Sequence, residues 1–186
     1  MLRGNIAELE KQAEDLIPVI FQHAPNDHRR NEWLAGRVLL SQALYPLSLP
    51  EITYNRYGKP EFNGGLSCWF NISHSGNHIA LLLSDEGAVG CDIEILRPRN
   101  NWQRLVEKIF SKDEKKRIYM EPDDRKLAIF WRIWTLKEAM LKQKGESLSR
   151  IINNDTSHPE KVFLEHCYLD GLSLAICTPT YCSLLL

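Results

Sequence analysis

A chain of 186 residues with 44% hydrophobic and 25% charged residues carries enough apolar surface to offset the entropy of ordering, which excludes a tail or linker and leaves one domain or two small lobes sharing a core. A formal net charge of -1 excludes the broad basic surface of a non-specific nucleic-acid binder. No window approaches the ~18 apolar residues of a membrane span, no secretory leader pattern opens the chain, and five cysteines without CxxC spacing argue against a disulfide framework or structural zinc, so a reducing cytoplasm is the expected home.

After Pro25 and a cap at Asn26 or Asp27, Trp33, Leu34, Val38, Leu40 and Leu44 recur at helical spacing until Pro46, which predicts a helix. Tyr57-Gly58-Lys59-Pro60 predicts a turn. Residues 68–73 and 79–84 predict strands joined as a hairpin across His74-Ser75-Gly76-Asn77. A strand at 89–96, a short helix at 102–109 and the longest helix at 127–144, stopped by Gly145, come next. Strands at 162–168 and 172–177 then flank Asp170-Gly171. The expectation is an α+β fold with a seam near 84–87, an N-terminal lobe at 1–86 and a C-terminal lobe at 87–186. Between Arg97 and Arg117, eight basic side chains stand against three acidic ones. This is a solvated helix face or a dock for an acidic partner.

Three features interrupt the apolar pattern. In Val89-Gly90-Cys91-Asp92-Ile93-Glu94-Ile95, strand alternation sends Val89, Cys91, Ile93 and Ile95 to the core and sets Asp92 and Glu94 side by side on the other face. Two like charges so placed repel, and Mg2+, which favours carboxylate and phosphate oxygens, would relieve them; a solvent-facing acidic strand is the plain alternative. On the long helix, Glu138 shares a stripe with Leu127, Trp131, Trp134 and Leu141, so it needs a partner: a metal, or Lys142 at the i,i+4 spacing. Arg37 likewise breaks the stripe of Trp33, Leu34, Leu40 and Leu44 and needs an anion, while Lys59 and His74 offer further groups for the phosphates of a nucleotide.

The words Trp33-Leu34-Ala35-Gly36-Arg37, Tyr57-Gly58-Lys59-Pro60, Phe70-Asn71-Ile72-Ser73-His74-Ser75-Gly76, Gly90-Cys91-Asp92-Ile93-Glu94 and Trp134-Thr135-Leu136-Lys137-Glu138-Ala139-Met140-Leu141-Lys142 span most of the chain. In this order they resemble the 4'-phosphopantetheinyl transferase superfamily, in its two-lobed class, and look most like the short branch called holo-acyl-carrier-protein synthase 2. The resemblance implies two pseudo-twofold-related α/β lobes with coenzyme A in the cleft between them. It implies transfer of the 4'-phosphopantetheine of coenzyme A to a serine of an apo acyl carrier protein, releasing adenosine 3',5'-bisphosphate. Asp92, Glu94 and Glu138 match the family's Mg2+-binding acids. Lys59, Ser73 and His74 match coenzyme A contacts, and Lys142 matches a lysine near the transferred phosphate. Arg37, or Arg30 before it, is a further candidate for an anion contact, and Glu114 matches an additional acid sometimes given a catalytic role. Glu138 and Lys142 are the expected catalytic pair. A monomer is expected, acting away from membranes and nucleic acids and docking its carrier beside the 97–117 segment. Two other readings use the same acids: a non-catalytic coenzyme A or carrier-protein binding module, and a Mg2+-dependent nucleotide pyrophosphohydrolase.

Overall fold

The computed structural model describes residues 1–64, 66–182 and 184; Gly65 and, at the end of the expected second lobe, Ser183, Leu185 and Leu186 lie outside the described residues. The chain runs β1 (Leu2–Asn5), α1 (Ile6–Leu16), α2 (Pro18–Gln22), α3 (Arg30–Leu44), β2 (Ile52–Tyr54), β3 (Pro60–Phe62), β4 (Trp69–Ser75), β5 (His78–Ser84) and β6 (Gly90–Ile95). It continues through α4 (Trp102–Ile109), α5 (Lys112–Tyr119), α6 (Asp123–Lys144), a 3-10 turn (Leu148–Asn153), β7 (Phe163–Leu169) and β8 (Leu172–Thr178). The strands pair antiparallel in the orders β1-β5-β4, β2-β3 and β6-β8-β7, an α+β architecture.

Several boundaries differ from the sequence expectation for identifiable reasons. Helix α3 starts at Arg30 because Asp27 is used locally, accepting the Arg29 amide at 2.9 Å and pairing with its guanidinium at 2.7 Å. Helix α6 starts at Asp123, one turn before Leu127, with Pro122 at the cap position and Asp123 and Asp124 in the first turn, where a helix N-terminus favours acids. The β4–β5 hairpin is tighter than expected. Ser75 pairs with His78 across Gly76-Asn77, so His74 lies within a strand and not at the bend. Helix α1, hidden among charged residues, is capped by Asn5, whose side chain accepts the Glu8 amide.

Helices α1 and α3 cover the first sheet, packing Leu9, Ala13, Leu34 and Val38 with Phe70 and Leu81. Helix α6 lies over the last sheet and is buried on several sides: Phe130, Trp131 and Trp134 pack with Val106, Phe110 and Ile118 of the α4–α5 region, while Leu136, Ala139 and Met140 meet Ala175 and Cys177. Between the two sheets, Ala80 packs with Ile93 and Leu174, and Leu82 packs with Val89, Cys91 and Ile176. Apolar packing is therefore continuous across the seam.

The outer edges of the two sheets meet there. Instead of a backbone ladder, alternate β4 side chains accept alternate β6 amides: Asn71 Oδ1 from Cys91 at 2.8 Å, Ser73 Oγ from Ile93 at 3.3 Å and Ser75 Oγ from Ile95 at 3.2 Å. Buried edge amides are satisfied this way. Gly90 fixes the other side of β6. A Cβ on it would lie 2.0 Å from Ala139 O and 2.4 Å from Gln143 N, so glycine is what lets the backbone of α6 settle against β6.

Candidate active site at the seam

The close approach of α6 to β6 brings Glu138 and Lys142 over the face that carries Asp92 and Glu94. That face is not the solvent-facing side of an acidic strand. Asp92 is only 4% exposed; its Oδ1 ion-pairs with Lys142 Nζ at 2.6 Å and accepts from Ser73 Oγ at 2.9 Å. Lys142 also donates to Ser73 Oγ at 2.8 Å. The second oxygen, Asp92 Oδ2, is buried without a partner. Glu94, partly buried, accepts from Ser75 Oγ at 2.8 Å.

Electrostatics follow from this crowding. Burial, then the charges of Asp92 and Glu94, push the Glu138 carboxyl up to about 7 against the pull of Lys142. Burial and the neighbouring Asp92 likewise raise Glu94, which Ser75, Lys142 and Arg97 pull back. Burial alone would lower the Lys142 ammonium, but Asp92 and the groups around it hold it above its ordinary value. Three carboxylates thus share one lysine, and a buried acid oxygen points at no donor. That is a donor set suited to a hard cation. Among the described residues, no group of three or more His, Cys, Asp and Glu side chains is arranged to hold a metal ion; the fit to a hard cation rests on the chemistry of the three carboxylates. A cleft beside Lys142, about 210 Å³ in volume, is lined by Tyr57, Gly58, Lys59, Pro60, Ile72 and Glu146 among others.

The remaining candidates fall around this cluster in different ways. The i,i+4 pair proposed for Glu138 and Lys142 is replaced by the Lys142–Asp92 pair. Ser73, 3% exposed, is a strut under Lys142 and not an open contact. Lys59 lines the cleft but donates its ammonium to Val89 O at 3.0 Å and Gln143 O at 3.1 Å, tying the β2–β3 turn to the end of α6. His74 is exposed, one residue from Ser73. Arg37, 7% exposed, stacks 4.6 Å over Trp33 and donates to Tyr54 OH at 2.8 Å. It lines a cavity of about 530 Å³ with His23, Leu49 and Tyr54, whose lining residues differ from those of the Lys142 cleft. Arg30 is spent on Ala24 O and Pro25 O at 3.3 and 3.4 Å.

Glu114 does not reach the cleft. It is fully buried, paired with Lys137 Nζ at 2.9 Å, and accepts from Thr156 N and Oγ1 at 2.8 and 2.9 Å and from Ser111 N at 2.8 Å. Lys137 also donates to Asn154 O. The Ser111-x-x-Glu114 spacing is a capping box and was legible as the start of a helix. Lys137 and Ser75 were not singled out from sequence. Ser75 stood inside a quoted motif, and its i+2 relation to Ser73 was the available signal.

The cleft beside the junction of the two half-sheets carries Lys59 and Lys142, and Asp92, Glu94 and Glu138 gather around Lys142, a charge arrangement suited to a protein that handles phosphate groups. Residues 88–175 match the family model described as the 4'-phosphopantetheinyl transferase superfamily. Over 177 residues the chain is 53% identical to the 4'-phosphopantetheinyl transferase AcpT of Salmonella typhi, covering 95% of this chain and 90% of that protein. It is 51% identical to AcpT of Escherichia coli strain K12, at 95% and 89% coverage. To the 4'-phosphopantetheinyl transferase ffp of Bacillus subtilis it is 33% identical over 134 residues, covering 69% and 57%. The chain belongs to the 4'-phosphopantetheinyl transferase superfamily, whose reaction is the transfer of phosphopantetheine to carrier proteins.

Proposed function

We propose that this enzyme acts as a holo-acyl-carrier-protein synthase. It moves the 4'-phosphopantetheine group of coenzyme A onto a serine of an apo acyl carrier protein and releases adenosine 3',5'-bisphosphate. The observation that carries this reading is the cross-seam cluster of Asp92, Lys142 and Ser73 beside Glu138, with Asp92 Oδ2 buried and unpartnered. Asp92, Glu94 and Glu138 would hold Mg2+, which when bound supplies charge neutralisation to the pyrophosphate of coenzyme A.

The serine oxygen bonds to the phosphorus that carries pantetheine, and the bond from that phosphorus to the 3',5'-ADP oxygen breaks. Glu138 takes the serine proton, directly or through a water. Lys142, aimed by Asp92 and Ser73, meets the charge that grows on the phosphoryl oxygens. Lys59 acts from behind by holding the end of α6, and His74 is the open contact for the nucleotide. Arg37, a buried guanidinium that donates to the neutral Tyr54 hydroxyl, is an anion seat for coenzyme A. In this scheme residues 1–86 supply the coenzyme A contacts and 87–186 the acids, all from one chain, which supports a monomer; a cytoplasmic setting belongs to the same proposal. No helix among the described residues is long and apolar enough to cross a membrane.

The acidic carrier docks on the 97–117 segment. Arg104, Lys108, Lys112, Lys116 and Arg117 are exposed there, and the charge of Arg97, at the start of the segment, is felt at Glu94. Such complementarity raises association rate more than affinity, and the KM for the carrier rises with ionic strength. The test is to incubate the enzyme with coenzyme A, Mg2+ and apo carrier proteins and record intact masses with and without EDTA. A Mg2+-dependent gain of one phosphopantetheine on the carrier is expected. Free 4'-phosphopantetheine with an unmodified carrier would refute the reading.

A further inference from the structure

Two serines of β4 make the same pair of bonds two residues apart. Ser73 Oγ accepts the Ile93 amide at 3.3 Å and donates to Asp92 Oδ1 at 2.9 Å. Ser75 Oγ accepts the Ile95 amide at 3.2 Å and donates to Glu94 Oε2 at 2.8 Å. A hydroxyl has one proton to give, and each serine gives it to the acid that immediately precedes the amide it accepts. Asn71 forms the remaining rung of the ladder, with Cys91 N at 2.8 Å, but the bonds it makes reach no acid. One rung therefore only joins the two half-sheets, while two rungs join them and aim a carboxylate.

We propose that Ser75 is a positioning residue for phosphopantetheinyl transfer, holding Glu94 Oε2 so that the other carboxylate oxygen is presented to the cation shared with Asp92 and Glu138. The inference rests on the metal reading given above. Glu94 sits partly buried beside a like charge, and repulsion from Asp92 would turn a free carboxylate away. The Ser75 proton opposes that rotation. Ser75 itself has little freedom: the next residue, Gly76, has φ 56°, and a Cβ there would lie 2.5 Å from Ile95 Cδ1, so the hairpin turn passes hard against the residue whose amide Ser75 accepts. A consequence is that Glu94 is aligned only when β4 lies beside β6. The cation site is then a readout of seam closure.

Partners of ligating groups are worth roughly 10–100-fold in metal affinity. The experiment titrates the full-length protein with Mn2+, following the free ion by electron paramagnetic resonance with and without coenzyme A, alongside melting temperatures and the KM for Mg2+. Ser75→Ala and Ser75→Cys, the latter keeping volume but losing the strong donor, are expected to weaken Mn2+ binding about tenfold or more. They should raise the KM for Mg2+ more than they lower kcat, and Ser75→Thr should restore both. Asn71→Ala, which removes a seam bond without touching an acid, lowers the melting temperature and leaves Mn2+ affinity in place. Wild-type affinity in Ser75→Ala or, should that variant not fold, in Ser75→Cys overturns the proposal, and so does an equal loss in Asn71→Ala, which would make Ser75 a seam bond only. If the wild-type protein itself fails to bind Mn2+ under either condition, the metal reading falls and this inference falls with it.

Discussion

Replacing Glu138 by Gln keeps the size of the side chain and removes its charge, so it separates what the carboxylate costs the fold from what it does for the reaction. In the cation-free protein the Glu138 carboxyl titrates near 7, against an ordinary value of 4.5. Below about pH 4.5 the group is protonated in folded and unfolded chains alike. Between the two values the folded chain keeps a proton that the unfolded chain releases, so the stability this group contributes is present at low pH and is lost as pH rises through 7. At about 1.4 kcal/mol per pH unit the displacement amounts to about 3 kcal/mol. Glu138 is half-buried and solvent screens part of that, which leaves about 1–3 kcal/mol.

Glu138→Gln, neutral at every pH, is therefore expected to match wild type near pH 5 and to exceed it by about 1–3 kcal/mol at pH 8, both measured by urea unfolding in EDTA. Transfer to the carrier, followed by intact mass at saturating coenzyme A, is expected to fall by about 10²–10⁴-fold, the range for losing a general base. A variant that turns over near the wild-type rate would remove Glu138 from the chemistry. One that is no more stable than wild type at pH 8 would show that the carboxylate is not held against repulsion.

Gly90→Ala places a methyl 2.0 Å from Ala139 O and 2.4 Å from Gln143 N, both backbone atoms of α6, so the helix must lift; an unfolding loss of about 1–3 kcal/mol or more with loss of transfer is expected, and a neutral result would mean that α6 can shift without cost. Glu114→Gln leaves the Lys137 ammonium buried without its counter-charge and is expected to cost about 3–5 kcal/mol by urea unfolding, whereas a fully stable variant that had lost only turnover would return Glu114 to the chemistry. His166 is lowered from 6.5 to about 4 by burial and by Arg132. The folded chain keeps it neutral while the unfolded chain takes up a proton, so its contribution is full above about pH 6.5 and is lost as pH falls toward 4, by about 1–3 kcal/mol once solvent screening of this half-buried ring is counted. His166→Gln should flatten the acid limb of the stability curve, and an unchanged limb would refute this.

Alternation along 89–95 was enough to place Asp92 and Glu94 on one face, because a strand's period of two is a local property. What alternation does not say is what covers that face. The sequence reading left open a solvent-facing side, and the answer depends on Gly90 admitting a helix that lies about fifty residues further along the chain. The same limit explains Lys142. Its i,i+4 relation to Glu138 is visible in sequence, but the stronger claim of Asp92, 2.6 Å away across the seam, depends on tertiary contact. Helix α1 was missed because charges between Ile6, Leu9 and Ala13 masked their spacing, although Asn5 with Glu8 three residues on was a cap in plain view. Glu114 carries two local signals: a motif match that suggested chemistry, and a Ser111-x-x-Glu114 spacing that assigns the side chain to a helix start.

The site's position at the seam follows from how the two sheets end. Each half-sheet finishes in an edge strand, β4 or β6, and a buried edge needs partners for its amides. A shared backbone ladder would satisfy both edges and fill the junction. Side-chain acceptors satisfy β6 while leaving hydroxyl protons over, and Ser73 and Ser75 give those protons to Asp92 and Glu94. The polar groups required to close the junction are thus the groups that orient the acids. Asp92 Oδ2 without a donor and Glu138 titrating near 7 are locally unfavourable, and the apolar contacts of Ala80 and Leu82 across the same seam hold them in place. Under the proposed function, a cation and a pyrophosphate arriving there would relieve repulsion already present with little reorganisation of the acids, and preorganisation of this kind favours the transition state of phosphoryl transfer.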